Sequence, residues 1–256
     1  MVKSMMKEKS NGAWYARSGS RVRELYTIMH LPYTSMVLSY VLIGALLSPT
    51  IHLDRVILTL MAYFFGLGFS AHALNEMRAA HWTEMLGKSE LTVLFALPLG
   101  GALTIGIYGM QELLAVSGSI LPPLILMTVI LLEIFLLFAY NTDAFAGRFH
   151  SDVSFALSWA ALPTLVSYYV NALTITAGAL FVALAMAATA GIQINLSRWC
   201  KELRRQSPIS ELQFLDGTRR RLTTLELTAG PEKALKLIIV VVDVMAISLI
   251  ASRLLP

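Results

Sequence analysis

Apolar residues in this chain occur in long uninterrupted runs, separated by short polar connections. The hydrocarbon core of a bilayer, roughly 30 Å thick, requires about 20 apolar residues in a helix. Seven runs approach that length, at residues 31–48, 56–75, 91–109, 120–140, 153–170, 173–195 and 234–254. Because the runs are continuous, they predict helices and not the alternating strands of a membrane barrel. The predicted fold class is all-α, a polytopic transmembrane helical bundle of about seven spans.

Lysine and arginine are concentrated in alternate connections of this predicted bundle. Eighteen of the 20 basic residues lie in the amino-terminal segment or in the connections after the second, fourth and sixth runs; Arg55 and Arg253 are the exceptions. Connections rich in Lys and Arg stay on the cytoplasmic side. The pattern therefore predicts a cytoplasmic amino terminus and an external carboxyl terminus. The expected location is the plasma membrane of a prokaryote.

Composition supports the membrane assignment and removes other classes. Of the 256 residues, 56% are hydrophobic and 14% are charged, whereas soluble domains carry about a quarter charged residues. So much apolar surface also excludes a disordered chain. The net charge of +4 follows from the basic connections, so no nucleic-acid partner is expected. The single cysteine, Cys200, excludes an internal disulfide and a cysteine metal cluster.

The chain divides into two unequal parts. Residues 1–30 form a basic cytoplasmic segment without the apolar core and cleavage site of a signal peptide. This segment either rests on anionic lipid headgroups or is a solvated tail. Residues 31–256 form a single transmembrane helical domain with a basic cytoplasmic loop near 198–233. Membrane lipids are therefore expected partners, and the oligomeric state is left open.

Polar and ionisable residues gather at the predicted cytoplasmic ends of the second, fourth and sixth spans. Charged residues cost about 2.5 to 3.5 kcal/mol each at a helix centre, so their positions carry functional information. The members of this group are His72, Asn75, Glu76, Asn141, Asp143, Arg148, His150, Asp152, Gln193, Asn195, Arg198, Lys201 and Glu202. Because even-numbered spans end on the same side, the group predicts a pocket that opens to the cytoplasm.

Several members also have a purely structural explanation. His72 and Glu76 are four residues apart, so a hydrogen bond on one helix face would account for both. Asn75 can end a helix, and Asp152 can begin one. Arg148 can serve only as a basic anchor at the membrane surface.

Two further acidic residues lie inside apolar runs. Glu133 is in the fourth predicted span and Asp243 is near the middle of the last. A hydrogen bond between helices, or a protonated carboxyl group, explains them without function. The alternative is a path for protons or a ligand, which favours a transporter. The absence of a repeat within the sequence argues against that reading.

The order of features over residues 20–205 resembles the UbiA superfamily of intramembrane prenyltransferases. Four segments carry the resemblance: LPYTSMVLSYVLIGALLSP, GLGFSAHALNEMRAAHWTEMLGK, GKSELTVLFALPLGGALTIGIYG and AYNTDAFAGRFHSDVSFALSWAALPTLVSYYV. In that family the second helix ends in an NxxxDxxxD motif, and Asn75 fits its asparagine. The resemblance implies transfer of a prenyl group from a prenyl diphosphate to a lipid or aromatic acceptor. It also implies Mg²⁺ held by carboxylates against the diphosphate.

The chain departs from the family pattern at the carboxylates. Ala79 and Thr83 stand where the motif has aspartate, although Glu76 and Glu84 lie nearby. The second acidic motif, expected after the sixth span, is reduced to Asn195 and Glu202. A single span follows, where the family has three. The resemblance is therefore to a divergent and shortened relative.

The resemblance and the predicted pocket together give each candidate a role. Metal ligands are assigned as Glu76, Glu84 and Glu202; substrate contacts as Asn75, Lys88, Arg148 and Asn195; and residues that orient or deprotonate the acceptor as His72, Asp143, His150 and Asp152.

Two other functions agree with the same residues. One is a membrane enzyme that uses a mixed histidine and carboxylate site, with or without a metal. The other is a non-catalytic protein that binds a lipid or isoprenoid in the same cavity, and whose basic loop recruits a partner.

Overall fold

Long helices dominate the structure. The computed structural model describes residues 13–17, 19–79, 85–206, 208 and 210–254. Six continuous helical segments are long and apolar enough to cross a membrane: Leu53–Arg78, Lys88–Ser117, Leu121–Asn141, Asp152–Ala172, Ala177–Gln206 and Thr224–Leu254. The bent pair Arg21–Ile28 and Leu31–Leu47 makes a seventh when it is counted as one span. The prediction of an all-α membrane bundle is confirmed, with six or seven spans.

The helices are numbered in chain order. They are α1 Arg21–Ile28, α2 Leu31–Leu47, α3 Leu53–Tyr63, α4 His72–Ala79, α5 Lys88–Ser117, α6 Leu121–Asn141, α7 Asp152–Ala156, α8 Leu162–Ala172, α9 Ala177–Gln206 and α10 Thr224–Leu254. The π-helical segments Phe64–Ala71 and Leu157–Ala161 join α3 to α4 and α7 to α8, and a 3₁₀ turn covers Phe145–Gly147. Strands β1 (Ser210–Gln213) and β2 (Arg219–Leu222) pair antiparallel.

The predicted basic loop near 198–233 is mostly helical. Helix α9 continues past residue 195 to Gln206, and α10 begins at Thr224 instead of near 234. A helix of 30 residues is about 45 Å long, so it extends beyond a bilayer core of roughly 30 Å. Hydropathy indicates where a helix leaves the membrane, but the helical hydrogen bonding of the backbone continues beyond that point. Only the short hairpin of β1 and β2 separates the two extensions.

The amino-terminal segment folds back onto the end of the bundle. The Arg17 amide donates to Thr27 Oγ1 at 2.7 Å, and that hydroxyl lies 2.9 Å from the Arg17 carbonyl oxygen. His30, with φ of 46°, lies in the left-handed region between α1 and α2, whose axes differ by 44°. His30 stacks on His72 at the start of α4, with ring centroids 4.2 Å apart, and Tyr33 donates to Ser197 Oγ of α9 at 3.4 Å.

Helix α2 lies in the core of the bundle. Met36, Val37, Tyr40 and Ile43 are all buried. Gly44 permits a very close approach to α8, because a Cβ atom there would lie 2.0 Å from the Thr164 carbonyl oxygen. Small residues allow this kind of contact between membrane helices.

Asp243 forms a polar contact between α10 and α2. Ser35 Oγ and Ser39 Oγ donate to its two carboxylate oxygens, at 3.1 and 2.8 Å. A hydrogen bond between helices, which is one of the two explanations for this residue, is therefore present.

Candidate functional site

A polar pocket of about 700 Å³ lies where α4, the ends of α6 and α9, the start of α7 and the amino-terminal segment meet. It therefore forms where the second, fourth and sixth predicted spans end, as the polar residues indicate. Two sets of residues make up most of its walls: a series of aromatic and imidazole rings, and the last turns of α9.

The first wall is a continuous series of rings, which we call the aromatic arc. Its members, in order of contact, are Trp14, Tyr15, His30, His72, Trp159, Phe155, Tyr140 and His150. His30 and His72 stack with centroids 4.2 Å apart, and Tyr140 stacks on His150 at 4.5 Å. All eight rings line the pocket. The arc therefore offers ring faces and edges to a bound molecule.

The second wall carries the basic row, defined as Arg198, Lys201, Arg204 and Arg205 of α9. Spacings of three, four and seven residues bring side chains to one face of a helix. Asn195 and Glu202 line the same wall. The row exists because α9 continues beyond its apolar run.

The basic row is matched by carboxylates. The contacts are Arg198 with Asp152, Arg204 with Glu232, and Arg205 with Glu202, and Lys201 interacts electrostatically with the buried Glu76. The Arg204 and Glu232 side chains are only 14% and 12% exposed. The nearby carboxylates therefore already have cationic partners, so they are not free to form an acidic cluster.

Asp143 belongs to a separate polar network at the rim. Its carboxylate pairs with Arg78, and His150 Nδ1 lies 2.9 Å from Asp143 Oδ1 and 2.9 Å from the Tyr140 carbonyl oxygen. The hydrogen bond from Arg78, together with the nearby imidazole, lowers the pKa of Asp143 below its ordinary value. Two acceptors beside Nδ1 favour the tautomer with the proton on that atom. His150 Nε2 is then the basic nitrogen of the neutral ring.

His72 contributes a buried nitrogen. Its side chain is packed between His30 and Trp159, with ring centroids 4.2 and 4.9 Å away. The residue is 7% exposed, and its Nε2 has no hydrogen-bond partner among the described residues. A buried polar atom without a partner is costly, so a ligand group that pairs with this nitrogen would be stabilised.

The predicted site residues fall into four groups in the structure. His72, Asn75, His150, Asn195 and Glu202 line the polar pocket. Glu76, Asp143 and Asp152 contact or interact with residues of its walls. Lys88 and Arg148 are exposed and are not among the lining residues. Glu84 lies outside the described residues.

The positions of Lys88 and Arg148 follow from the connections that carry them. Lys88 is the first residue of α5, and Arg148 directly follows the 3₁₀ turn, within which Ala146 has a left-handed backbone. Neither position lies on an element that forms a wall of the pocket.

Sequence reasoning placed Arg198 and Lys201 just beyond the sixth span but missed Arg204, Arg205 and most of the aromatic arc. All four residues of the basic row were assigned to a loop, although their helical spacing was a usable signal. The rings of Trp14, Tyr15 and His30 had no such signal. They come from the amino-terminal segment and meet α4 and α7 only through tertiary folding.

The donor set of the described residues does not fit a magnesium cluster. No three His, Cys, Asp or Glu side chains in the described ranges lie close enough to hold a metal ion together. The carboxylates of Glu76 and Glu202 face Lys201 and Arg205 instead. We therefore derive no chemical step through a metal.

Comparisons of the chain with family models, with curated proteins and with solved structures find no match. The resemblance to the UbiA superfamily therefore stays a prediction from the residues. What is established is the class: an integral membrane protein built from six or seven apolar helices.

Proposed function

We propose that this chain is a UbiA-like membrane protein that binds a phosphorylated isoprenoid, or a similar phosphorylated lipid, in the polar pocket. The observation that carries the proposal is that the basic row and the aromatic arc line one cavity of about 700 Å³, where Arg198 Nη2 donates to the Tyr140 hydroxyl at 3.2 Å. Guanidinium groups suit phosphate oxygens, and ring faces suit an unsaturated hydrocarbon chain. Pockets for small molecules typically measure about 300 to 1,000 Å³.

Binding would exchange partners within the basic row. A phosphate group would replace carboxylates as the acceptor for the arginines, and the exposed pairs open at least cost. Arg205 and Glu202 have side chains 72% and 44% exposed, and Arg198 and Asp152 have side chains 37% and 41% exposed. We therefore assign phosphate contact to Arg198 and Arg205. The buried pair of Arg204 and Glu232 would keep its structural role.

Direct binding tests this assignment. Purified protein in lipid nanodiscs is titrated with geranyl diphosphate, and the dissociation constant is measured for Arg198→Gln and Arg205→Gln. We expect each variant to bind about tenfold more weakly, because a charge-assisted hydrogen bond contributes about 1.5 to 3 kcal/mol. The matched control is Arg220→Gln, which removes an arginine paired with Glu226 outside the pocket. Equal losses in all three variants, or no saturable binding, would contradict the proposal.

Prenyl transfer is a second candidate, and the aromatic arc favours it. In this reaction the allylic carbon–oxygen bond breaks, diphosphate leaves, the acceptor bonds to the carbon and its proton passes to a base. Ring faces stabilise the positive charge that develops on the carbon, and the basic row would stabilise the leaving diphosphate. His72 Nε2 and His150 Nε2 are the candidate bases.

Release of diphosphate distinguishes transfer from binding alone. The assay uses geranyl diphosphate and a panel of lipid and aromatic acceptors, with Mg²⁺ and separately with a chelator. For an enzyme we expect release that falls at least tenfold in His72→Gln while geranyl diphosphate binding is kept. Loss of release in the chelator alone would support the predicted magnesium dependence. Binding without release in either condition would leave a non-catalytic lipid-binding protein.

A further inference from the structure

A second cavity, of about 160 Å³, lies between α3, α5, α6 and α8. Most of its lining is apolar, from side chains such as Leu58, Leu103, Ile130 and Val166. We call it the Glu133 cavity, after the acidic residue in its wall. It shares no lining residue with the polar pocket, so it is a separate site within the described chain.

Glu133 gives this cavity a hydrogen-bonding group at membrane depth. The residue lies near the middle of α6, and Tyr63 donates its hydroxyl hydrogen to Glu133 Oε1 at 3.0 Å. The described residues place no donor on the second oxygen, Oε2. An ionisable side chain at this depth is costly and typically marks a functional site. Asp54, Arg55 and Glu112 also line the cavity. Unlike Glu133, these three residues lie near an end of the helix that carries them.

The arginine in this lining already has a structural contact. Arg55 Nη1 donates to the Val170 carbonyl oxygen at 2.8 Å. Among the carboxylates in the lining, Glu133 is the one near the middle of its helix, whereas Glu112 interacts with Tyr108 and Asp54 lies in the first turn of α3.

The size of the cavity limits the apolar group that it accepts. An apolar cavity of about 150 Å³ holds a molecule of the size of benzene. The wall is open beside Gly66, because a Cβ atom at that residue would meet nothing within 4 Å. Gly66 lies in the π-helical segment that follows Tyr63, and π-bulges occur frequently at functional sites.

We propose that the Glu133 cavity binds a membrane-soluble molecule that carries a hydroxyl group on a compact apolar group, with the hydroxyl donating to Glu133. Tyr63 already shows the geometry, since its phenol donates to the same carboxyl group. A ligand hydroxyl on Oε2 would satisfy the second oxygen, while the ring or branched chain would fill the apolar space. An alcohol and a phenol share this chemistry.

Photolabelling maps the site directly. A phenol that bears a diazirine is irradiated with the full chain in nanodiscs, and labelled peptides are identified by mass spectrometry. We expect labels on residues 58–67 and 99–113, suppressed by excess 4-fluorophenol or by 3-methyl-2-buten-1-ol, but at least fivefold less by fluorobenzene. Suppression by the phenol alone identifies an aromatic ligand, and suppression by the alkenol alone identifies a branched chain. Both results support the hydroxyl assignment.

Variants separate specific binding from partition into lipid. Gly66→Leu should fill the cavity and reduce labelling at least tenfold, and Glu133→Leu should reduce it at least fivefold. The matched control is Gly100→Leu, because a Cβ atom at Gly100 also meets nothing within 4 Å and that residue does not line the cavity. Each variant must keep the melting temperature of the parent within a few degrees. If Glu133→Leu does not, it is replaced by Glu133→Gln, which keeps an acceptor for Tyr63 and should also reduce labelling.

The proposal is wrong if fluorobenzene competes as well as the hydroxyl compounds, or if Gly66→Leu and Gly100→Leu label equally. Geranyl diphosphate binding in the polar pocket is an independent measurement. If geranyl diphosphate does not bind, the labelling of the Glu133 cavity is still a valid result, and failure of the labelling would not affect the binding result.

Discussion

At the scale of single residues, Gly44 sets the distance between α2 and α8. Because a Cβ atom there would lie 2.0 Å from the Thr164 carbonyl oxygen, Gly44→Ala must push two backbones apart. We expect a loss of about 1 to 3 kcal/mol, the usual range for overpacking, seen as a lower melting temperature in detergent. Gly100→Ala is the control, since its Cβ atom meets nothing within 4 Å. Equal melting temperatures for the two variants would contradict this account.

Asp143 provides a residue-scale test of pH dependence. Its pKa lies below the ordinary value of 3.8, chiefly because Arg78 donates a hydrogen bond to the carboxylate. The stabilisation is therefore fully present above that ordinary value and is lost as the pH falls through the lowered pKa. We expect Asp143→Asn to melt below the parent at pH 6 to 7, and the difference to shrink at the lowest pH.

Melting temperatures measured from pH 3 to 7 check this expectation for the rim network. The control is Arg148→Gln, because Arg148 is exposed and shows no ion pair among the described residues. A difference between Asp143→Asn and the parent that grows as the pH falls would contradict the assigned ion pair. The low pKa also makes Asp143 a weak base near neutral pH.

At the scale of elements, one ion pair holds the extensions of α9 and α10 together. Arg204 and Glu232 are both largely buried, and removal of either residue takes the opposite charge of this pair away from the other. Breaking such a pair costs about 3 to 5 kcal/mol. We expect Arg204→Met and Glu232→Met each to lower the melting temperature, and the double variant to recover most of the loss.

The comparison for this prediction is the exposed pair of Arg220 and Glu226 in the hairpin region, with side chains 63% and 40% exposed. Arg220→Met should change the melting temperature little, because surface pairs contribute about 0 to 1 kcal/mol. Glu226 is left intact in this comparison, because it also accepts from the Thr223 amide at the start of α10, at 2.8 Å. Additive losses in the double variant of Arg204 and Glu232 would show that the two residues act independently.

The elements also show why the pocket was only partly predictable. The placement of His72, Asn75 and Asn195 at the ends of even-numbered spans follows from hydropathy alone. The placement of Arg205 in the pocket does not follow from hydropathy, because hydropathy falls at the membrane surface whether the chain continues as a helix or becomes a loop. The distinction between those two outcomes depends on contacts such as Arg204 with Glu232, between residues distant in the sequence.

At the scale of the whole molecule, three spans (α6, α7 with α8, and α9) separate the connection between α5 and α6 from the hairpin, so the two lie on opposite sides of the membrane. The predicted seven spans with a cytoplasmic amino terminus would put Thr218 in the cytoplasm and Ser119 outside. We expect an impermeant maleimide to label Ser119→Cys in intact cells, and Thr218→Cys only after permeabilisation. Both variants are made in a Cys200→Ser background, which leaves no other thiol.

Both target positions are exposed in the structure, so a lack of labelling reflects the membrane barrier. Labelling of Thr218→Cys alone in intact cells would reverse the orientation. Labelling of both from one side would mean that an even number of spans separates them.

The sequence by itself determined that the chain is a membrane protein, that its spans are helical, and at which end of the bundle the polar residues gather. These properties follow from local hydropathy and charge, which are summed over one segment at a time. Tertiary structure alone decided that His30 stacks on His72, that Lys201 faces Glu76 and that Tyr63 donates to Glu133. Each of those contacts joins side chains from different elements. Their geometry depends on helix length, bends and packing, which no single segment encodes.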